Sequence, residues 1–182
     1  MAMLTLGGCV ASHAPLTREI LDEQSGNTLI VVSSPLVFAR ARTDVAAHAR
    51  DYATLVAVEI DASGEYSEYL LLYRWSTVDR RMSPLPDADA GALRILADGR
   101  VIALQPLAKL PVNLDHRRQY QVPKHDDVIP RGYKVDAATL RYIATSRELI
   151  VRLPQEPLDA PFSLWEDGRA ALLRFLEHAV PN

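Results

Sequence analysis

The sequence predicts an α+β fold that is mostly β, with antiparallel sheet built from hairpins, a short helix and a C-terminal amphipathic helix. Segments rich in branched and aromatic residues dominate most of the chain, and turn sequences separate them. Helical periodicity is clearest in roughly the last fifty residues. Strands grouped first and helices grouped late are typical of antiparallel sheets rather than of alternating strand–helix units.

The composition is that of one globular domain. The 182 residues are 48% apolar and 24% charged. A chain of this length can bury roughly 70% of the surface that it exposes when unfolded, so it needs no metal or disulfide for stability. A single cysteine excludes a disulfide scaffold and a zinc ribbon. With 20 Lys and Arg against 23 Asp and Glu, the net charge of -3 disfavours a nucleic-acid partner. We expect no cofactor.

The first strands are predicted at residues 28–33 and 36–40, which are rich in branched and aromatic side chains. The Ser-Pro pair between them indicates a strand, a kink and a second strand, because Pro has no N–H to give to a sheet. A tether is predicted before them at residues 10–27. Within it, residues 16–23 are predicted to form a brief helix with Thr17 as its N-cap.

A hairpin is predicted next, with arms at residues 52–60 and 66–75 on either side of the turn sequence at 61–64. Both faces of the second arm are apolar or aromatic, which predicts a central strand. One face of that arm carries Tyr69, Leu71, Tyr73 and Trp75.

A second hairpin is predicted at residues 93–97 and 100–104, because Asp98-Gly99 suits a two-residue turn. The following segment, 106–130, is polar and interrupted by prolines, so we interpret it as irregular. A further strand is a candidate at residues 119–122.

The last part of the chain changes character. A short helix is predicted at residues 137–145, with Asp136 as its N-cap. Strands are predicted at 148–153 and 162–164. An amphipathic helix is predicted at 166–179, where apolar side chains recur at helical spacing on one face.

The chain opens with an apolar stretch of small residues that ends at its only cysteine. Leu6-Gly7-Gly8-Cys9 has an aliphatic residue, two small residues and Cys, and it resembles the lipobox of bacterial lipoprotein signal peptides. A complete signal has a basic n-region and a longer apolar stretch, so residues 1–8 are interpreted as a remnant of one. Residues 9–27 are then the lipidated cysteine with its tether, and 28–182 a single β-rich domain.

The resemblance is to the uncharacterised small lipoproteins of Gram-negative bacteria, and it implies a membrane partner. It implies that diacylglycerol and a fatty acyl group such as palmitate modify Cys9 and anchor the protein. In this family, Asp directly after the cysteine retains a lipoprotein in the inner membrane. Val10 stands at that position here, so the resemblance implies that the protein is sorted to the outer membrane with its domain facing the periplasm. The alternative is that Cys9 is an ordinary small residue of a cytosolic domain.

Motifs of nucleotide-binding proteins, α/β-hydrolases and zinc proteases are absent from the sequence. The candidate catalytic or metal-binding residues are therefore scattered ones, His116, His125, Asp126 and Asp127, because imidazole and carboxylate groups suit zinc, manganese or acid–base catalysis. Their spacing fits no established metal signature, and a solvated polar loop is the alternative.

Tyr69, Tyr73 and Trp75 are candidate ligand-binding residues, because Tyr and Trp combine an apolar ring with a polar group. A stripe of aromatic residues at a spacing of two is equally what a sheet buries in its core. We therefore expect a membrane-anchored binding or accessory module without catalysis, with an envelope protein as a candidate partner. The alternative is an envelope metal-dependent hydrolase that uses the residues at 116 and 125–127.

Overall fold

The computed structural model of the chain describes residues 16–78, 91–115, 119–123, 128–154 and 161–178. In these residues ten strands form one antiparallel sheet, and three helices accompany it. The fold is therefore α+β and mostly β, as predicted. The strands are β1 (Thr17–Leu21), β2 (Thr28–Val32), β3 (Leu36–Ala41), β4 (Arg50–Ala62), β5 (Glu65–Ser76), β6 (Leu93–Ala97), β7 (Arg100–Leu104), β8 (Arg131–Val135), β9 (Leu149–Arg152) and β10 (Phe162–Glu166), and the helices are α1 (Val112–Asp115), α2 (Ala137–Thr145) and α3 (Arg169–His178).

The long hairpin of β4 and β5 is the centre of the sheet. The two strands pair along their whole length, from Ala62 opposite Glu65 to Asp51 opposite Ser76. The other edge of β4 carries β3 along its first half and β2 along its second half. This arrangement confirms the predicted strand, kink and strand, since β2 and β3 form one row that breaks at the Ser-Pro pair.

Both predicted hairpins are confirmed, and each has a two-residue turn with positive φ at both positions. The φ angles are 58° and 92° at Ser63 and Gly64, and 46° and 81° at Asp98 and Gly99. Such turns match the right-handed twist of the strands that they join. The Asp61 carboxylate accepts a hydrogen bond of 2.7 Å from the Gly64 N–H and stabilises the first turn.

The sheet curves until its two ends meet. One end runs from β5 to β8, and the other runs from β3 through β10, β9 and β6 to β7. Just after β7, Pro106 forms an antiparallel bridge to Tyr133 in β8, and the Leu107 N–H donates to the Gly132 carbonyl at 2.9 Å. Eight strands therefore form a closed circuit with an inner and an outer face.

Large apolar side chains fill the inner face. Phe38, Leu72, Ile95, Val151 and Phe162 are at most 1% exposed there. The core cluster also includes Leu140 and Ile143 of α2 and Leu172, Phe175 and Leu176 of α3, and the two helices pack on each other. The helices therefore extend the core that the sheet encloses.

Part of the outer face is covered as well, by the segment that follows β7. A Cβ added at Gly132 of β8 would collide with the side chain of Leu110. On the neighbouring strand β5, Tyr73 meets the ring of Tyr120 edge-on, with centroids 5.6 Å apart. Tyr73 also donates a long hydrogen bond of 3.5 Å to the Gln119 side chain. Both faces of β5 are therefore buried at its centre. Because β5 also pairs with β4 on one edge and with β8 on the other, the prediction of a central strand is confirmed.

The two predicted helices of the C-terminal part are confirmed. Helix α2 has the predicted bounds, and its N-cap Asp136 accepts a hydrogen bond of 2.6 Å from the Thr139 N–H. Helix α3 starts at Arg169 rather than at residue 166, because β10 continues to Glu166 and Gly168 then passes against the backbone carbonyls of the Ser-Pro kink. No helix in the described ranges is both long and apolar enough to cross a membrane.

Two local predictions are wrong. Residues 17–21 form β1, an edge strand paired with β2, where a helix was predicted. Local helix propensity is weak, and the hydrogen bonds of a neighbouring strand override it. The sheet thus begins inside the segment predicted as a tether. Residues 119–122, a candidate strand, do not form one. The Gln119 carbonyl accepts a hydrogen bond of 2.7 Å from the Arg18 guanidinium, and Val122 is buried.

Candidate functional site

Most of the residues predicted to carry chemistry lie outside the described ranges. These are Cys9, His116, His125, Asp126 and Asp127. In the residues that the structure does describe, no group of three or more His, Cys, Asp or Glu side chains is placed to hold a metal ion. The lipidation site and the metal-dependent hydrolase therefore stay predictions.

The three candidate ligand-binding residues of β5 share one face of the sheet, the outer one, but their surroundings differ. Tyr73 is 1% exposed beneath Tyr120. Tyr69 is half-buried and packs against the core. Trp75, near the end of the strand, is half-buried and packs against both the main core and a separate small hydrophobic cluster. Of the three, Trp75 is the one whose aromatic neighbours extend to the exposed Trp165.

Trp75 stacks on Tyr52, its direct partner across the β4–β5 ladder. The two ring centroids are 3.9 Å apart and the ring planes differ by 7°. The Trp75 indole N–H donates to the Thr54 hydroxyl at 3.2 Å, which fixes the orientation of the ring. Val37 and Ala39 of β3 pack beside this pair on the same face. A small hydrophobic cluster therefore lies on the outer face, apart from the main core.

Trp165 of β10 completes this aromatic cluster, which we define as Tyr52, Trp75 and Trp165. Its ring meets Tyr52 edge-on, with centroids 6.5 Å apart. The register of β10 against β3 shifts at this point, since Leu164 faces Phe38 whereas Glu166 faces Val37. Such a bulge redirects a side chain, and here it brings Trp165 to the cluster.

Arg50, the first residue of β4, lies against the Trp165 ring of the cluster. Its guanidinium carbon is 4.5 Å from the centre of the Trp165 ring, which is within cation–π range. The Arg50 backbone is fixed, because its N–H donates to the Thr77 hydroxyl at 2.9 Å and its carbonyl accepts from the Thr77 N–H at 2.9 Å. The sheet therefore positions a charged group against an indole.

Exposure makes the cluster a candidate contact surface. Tyr52 is 9% exposed, whereas Trp165 is 52% exposed, a large value for a tryptophan that has aromatic neighbours. A half-exposed indole with a guanidinium beside it offers apolar area, a hydrogen-bond donor and a positive charge to a ligand. The chain contains two tryptophans, so both belong to this cluster.

The carboxylate of Asp51 lies on the inner face, next in sequence to Arg50. Arg40 and Arg42 donate hydrogen bonds to it at 2.9 and 3.2 Å. Burial by itself raises the pKa of Asp51, but the hydrogen bonds from Arg40, Ser76 and Arg42 outweigh it and hold the pKa below its ordinary value. Asp51 is therefore a charged structural group.

Glu59 is a second buried carboxyl on the inner face of β4, and its pKa shifts in the opposite direction to that of Asp51. It is 0% exposed, and neither of its carboxyl oxygens has a hydrogen-bond partner in the part of the chain that the structure describes. Burial, with smaller contributions from the charges of Glu68 and Asp61, raises its pKa to about 7. Glu59 is therefore neutral over much of the ordinary pH range.

Tyr133 of β8 is a further buried ionisable group. Its side chain is 0% exposed, and burial raises the pKa of its hydroxyl to about 12 against the lowering effect of Arg131 and Arg74. Asp51, Glu59 and Tyr133 are all enclosed by the sheet, out of contact with solvent. Their pKa shifts therefore belong to enclosed structural groups rather than to an accessible reaction site.

Tyr52, Trp165 and Arg50 were not among the residues that the sequence singled out. Tyr52 could have been found from the hairpin, because a two-residue turn at Ser63-Gly64 places it opposite Trp75. Trp165 is more than one hundred positions away from Tyr52 in the sequence and lies on a different strand. The contact between them is therefore one of high sequence separation. No local pattern indicates that contact.

Comparisons with protein-family models, curated proteins and solved structures found no match to this chain. The function therefore has to be inferred from the chain's own residues.

Proposed function

We propose that this protein is a lipid-anchored module of the cell envelope that acts by binding and not by catalysis, with the aromatic cluster as its contact surface. The observation that carries the proposal is the half-exposed Trp165, held by Tyr52 and covered on one side by Arg50. Trp, Tyr and Arg, the residue types gathered in this cluster, are enriched among the residues that contribute most to binding at contact surfaces.

The construction of the cluster supports binding, because its parts are held before any ligand arrives. Trp75 is fixed by the stacked Tyr52 ring and the Thr54 hydroxyl, and Arg50 is held by the end of the β4–β5 ladder. A surface that is already ordered loses little conformational freedom on binding. Such preorganisation is typical of a contact site.

The anchor is proposed from the lipobox-like sequence that ends at Cys9. The described domain begins at Leu16, seven positions later. A lipidated Cys9 would hold the domain close to the outer membrane on its periplasmic side. Several acyl chains on one cysteine give stable attachment, whereas one chain holds a protein only marginally.

The Cys9→Ser variant tests this anchor. When the natural reading frame is expressed in a Gram-negative host, we expect the wild-type chain in the membrane pellet and the Cys9→Ser chain in the soluble fraction, because serine cannot accept the thioether-linked lipid. Ala11→Ser is the matched control, and it should remain in the pellet. A Cys9→Ser chain that still sediments with membranes at the wild-type level would refute the anchor.

A further inference from the structure

We infer that the aromatic cluster rests on the lipid–water interface of the membrane to which the chain is anchored, with the Trp165 indole at the headgroup level and the Arg50 guanidinium on lipid phosphates. This inference rests on the proposed anchor at Cys9. It names a lipid surface as the partner of the cluster.

The first support is the position of Leu16, the first residue that the structure describes. Leu16 is joined to the sheet by its carbonyl, which accepts a hydrogen bond of 2.8 Å from the Ser33 N–H. Cys9 precedes it by seven positions, and seven extended residues reach at most about 25 Å. An anchored domain therefore keeps the Leu16 end of β1 within about that distance of the bilayer.

The aromatic cluster lies at the same end. Strands β1 and β10 both pair with the β2–β3 row on the edge that faces away from β4. Leu16 adjoins Ser33 in that row, and Glu166 is opposite Val37. Ser33 and Val37 are four positions apart, which is at most about 13 Å of chain. Leu16 and Trp165 therefore lie near each other along the same edge of the row. A membrane near Leu16 is therefore also near Trp165.

The second support is the chemistry of the cluster. Trp and Tyr rings are enriched at membrane interfaces, where the ring sits among headgroups with its polar edge hydrated. Arginine forms paired hydrogen bonds with phosphate oxygens, and each basic residue near an anionic surface contributes about 1 kcal/mol. Trp165 and Arg50 provide both groups on one exposed surface.

The attraction is weak without the anchor. One half-exposed indole and one arginine provide little area, and the exposed Glu166 beside Trp165 repels anionic lipids. A tether of this length makes the contact intramolecular, with an effective concentration in the millimolar range. We therefore expect the cluster to contact lipid in the anchored protein and hardly at all in the free one.

The composition of the chain provides a direct test, because it has one cysteine and two tryptophans. The full chain is coupled through Cys9 to vesicles of phosphatidylethanolamine and phosphatidylglycerol that contain a maleimide lipid, and coupling is verified by mass. Brominated acyl chains in the vesicles quench the fluorescence of any tryptophan that reaches the interface. In the Trp75→Phe variant, where Trp165 is the remaining tryptophan, we expect bromination to reduce the fluorescence by at least a third.

Two controls separate this contact from general proximity to the vesicle. Val101 is 60% exposed on β7, which lies across the circuit from β3 and β4. In a chain with Trp75→Phe, Trp165→Phe and Val101→Trp, we expect less than a tenth of the fluorescence to be lost. With Cys9 blocked by N-ethylmaleimide, the Trp75→Phe chain mixed with the same vesicles should also show little quenching.

Quenching of Trp165 no stronger than that of the tryptophan introduced by Val101→Trp would overturn the inference and leave the anchor unaffected. If Trp165 is strongly quenched but Cys9 is never acylated in cells, the proposed anchor is overturned, and the inference that rests on it is overturned too. Arg50→Gln adds a third readout, since the loss of the phosphate contact should reduce the quenching of Trp165 by about half.

Discussion

Replacement of Asp51 by asparagine is expected to lower the free energy of unfolding by about 2 kcal/mol, which is less than the full cost of breaking a buried ion pair because both arginine partners are partly exposed. The side chain of Asp51 is 2% exposed, and its carboxylate holds Arg40 at 2.9 Å and Arg42 at 3.2 Å. Asparagine keeps the shape but removes the charge. The two guanidinium groups would then lose a buried counter-ion, which is the cause of the expected loss.

Urea unfolding at pH 7 measures this effect, and Asp44→Asn is its matched control. Asp44 pairs with the same Arg42, at 3.0 Å, but its side chain is 64% exposed. Ion pairs between exposed groups contribute little to stability, so the unfolding midpoint of Asp44→Asn should stay close to that of the wild type. Equal effects of the two substitutions would show that the Asp51 pair has no special structural role.

The Asp51 pair also predicts a direction of pH dependence. The pKa of Asp51 is lower in the folded chain than in the unfolded one, so its contribution is complete above the ordinary pKa of 3.8 and is lost as the pH falls below it. We expect the slope of stability against pH in the acid range to be smaller in Asp51→Asn than in the wild type.

Glu59 is expected to make the protein less stable as the pH rises, which is the second large effect. Its folded pKa of about 7 lies above the ordinary value of 4.5, so the folded chain binds the proton more tightly. The favourable contribution is complete below pH 4.5 and is lost as the pH rises to about 7. At about 1.4 kcal/mol for each pKa unit, the wild type should lose roughly 3 kcal/mol from this group.

The Glu59→Gln variant isolates this effect, because glutamine has nearly the same shape and does not titrate. We expect it to be more stable than the wild type at pH 8, by roughly 3 kcal/mol at most, and close to it at pH 4.5. Urea unfolding at both pH values gives the comparison. Parallel stability curves for the two proteins between pH 4.5 and 8 would contradict the assignment of a raised pKa to Glu59.

Glu68→Gln is the control for the environment of Glu59. Glu68 lies directly opposite Glu59 on β5, and Asp61 is the other charge that raises its pKa. Without the Glu68 charge, the pKa of Glu59 should fall, while burial keeps it above 4.5. The pH dependence should therefore persist in Glu68→Gln and move to lower pH, in contrast to its loss in Glu59→Gln.

Much of the fold is local in origin and could be predicted. The turns at Ser63-Gly64 and Asp98-Gly99 require positive φ, and the sequence marks them with Gly after a small or acidic residue. Helix α2 follows an Asp N-cap with apolar residues at helical spacing. In each case the residues that determine the element lie within the element.

Other elements depend on distant partners and could not be predicted. Strand β8 has few strand-forming residues and contains Gly132, and it exists through its ladder with β5 and the bridge to Pro106. Strand β1 contains a helix-like sequence but pairs with β2. The closure of the sheet depends on the long-range pairings of β8, so it is not visible in any local pattern.

The aromatic cluster is intermediate between these cases. The turn sequence at 61–64 identified the hairpin, but the register depends on which two residues form the loop, and a shift by one would move Tyr52 to the other face. Trp165 joins the cluster through a bulge in a strand from the other end of the chain. Trp75 was therefore the one member of the cluster that the sequence analysis named, and Tyr52 follows from it once the two loop residues are known.

The measurement that tests the account most directly is the intact mass of the N-terminal peptide, taken from protein made in a Gram-negative host from the natural reading frame. The account predicts a peptide that begins at Cys9 and carries diacylglycerol together with an acyl group. A peptide in which Cys9 has a free thiol and is preceded by Gly8 would contradict it.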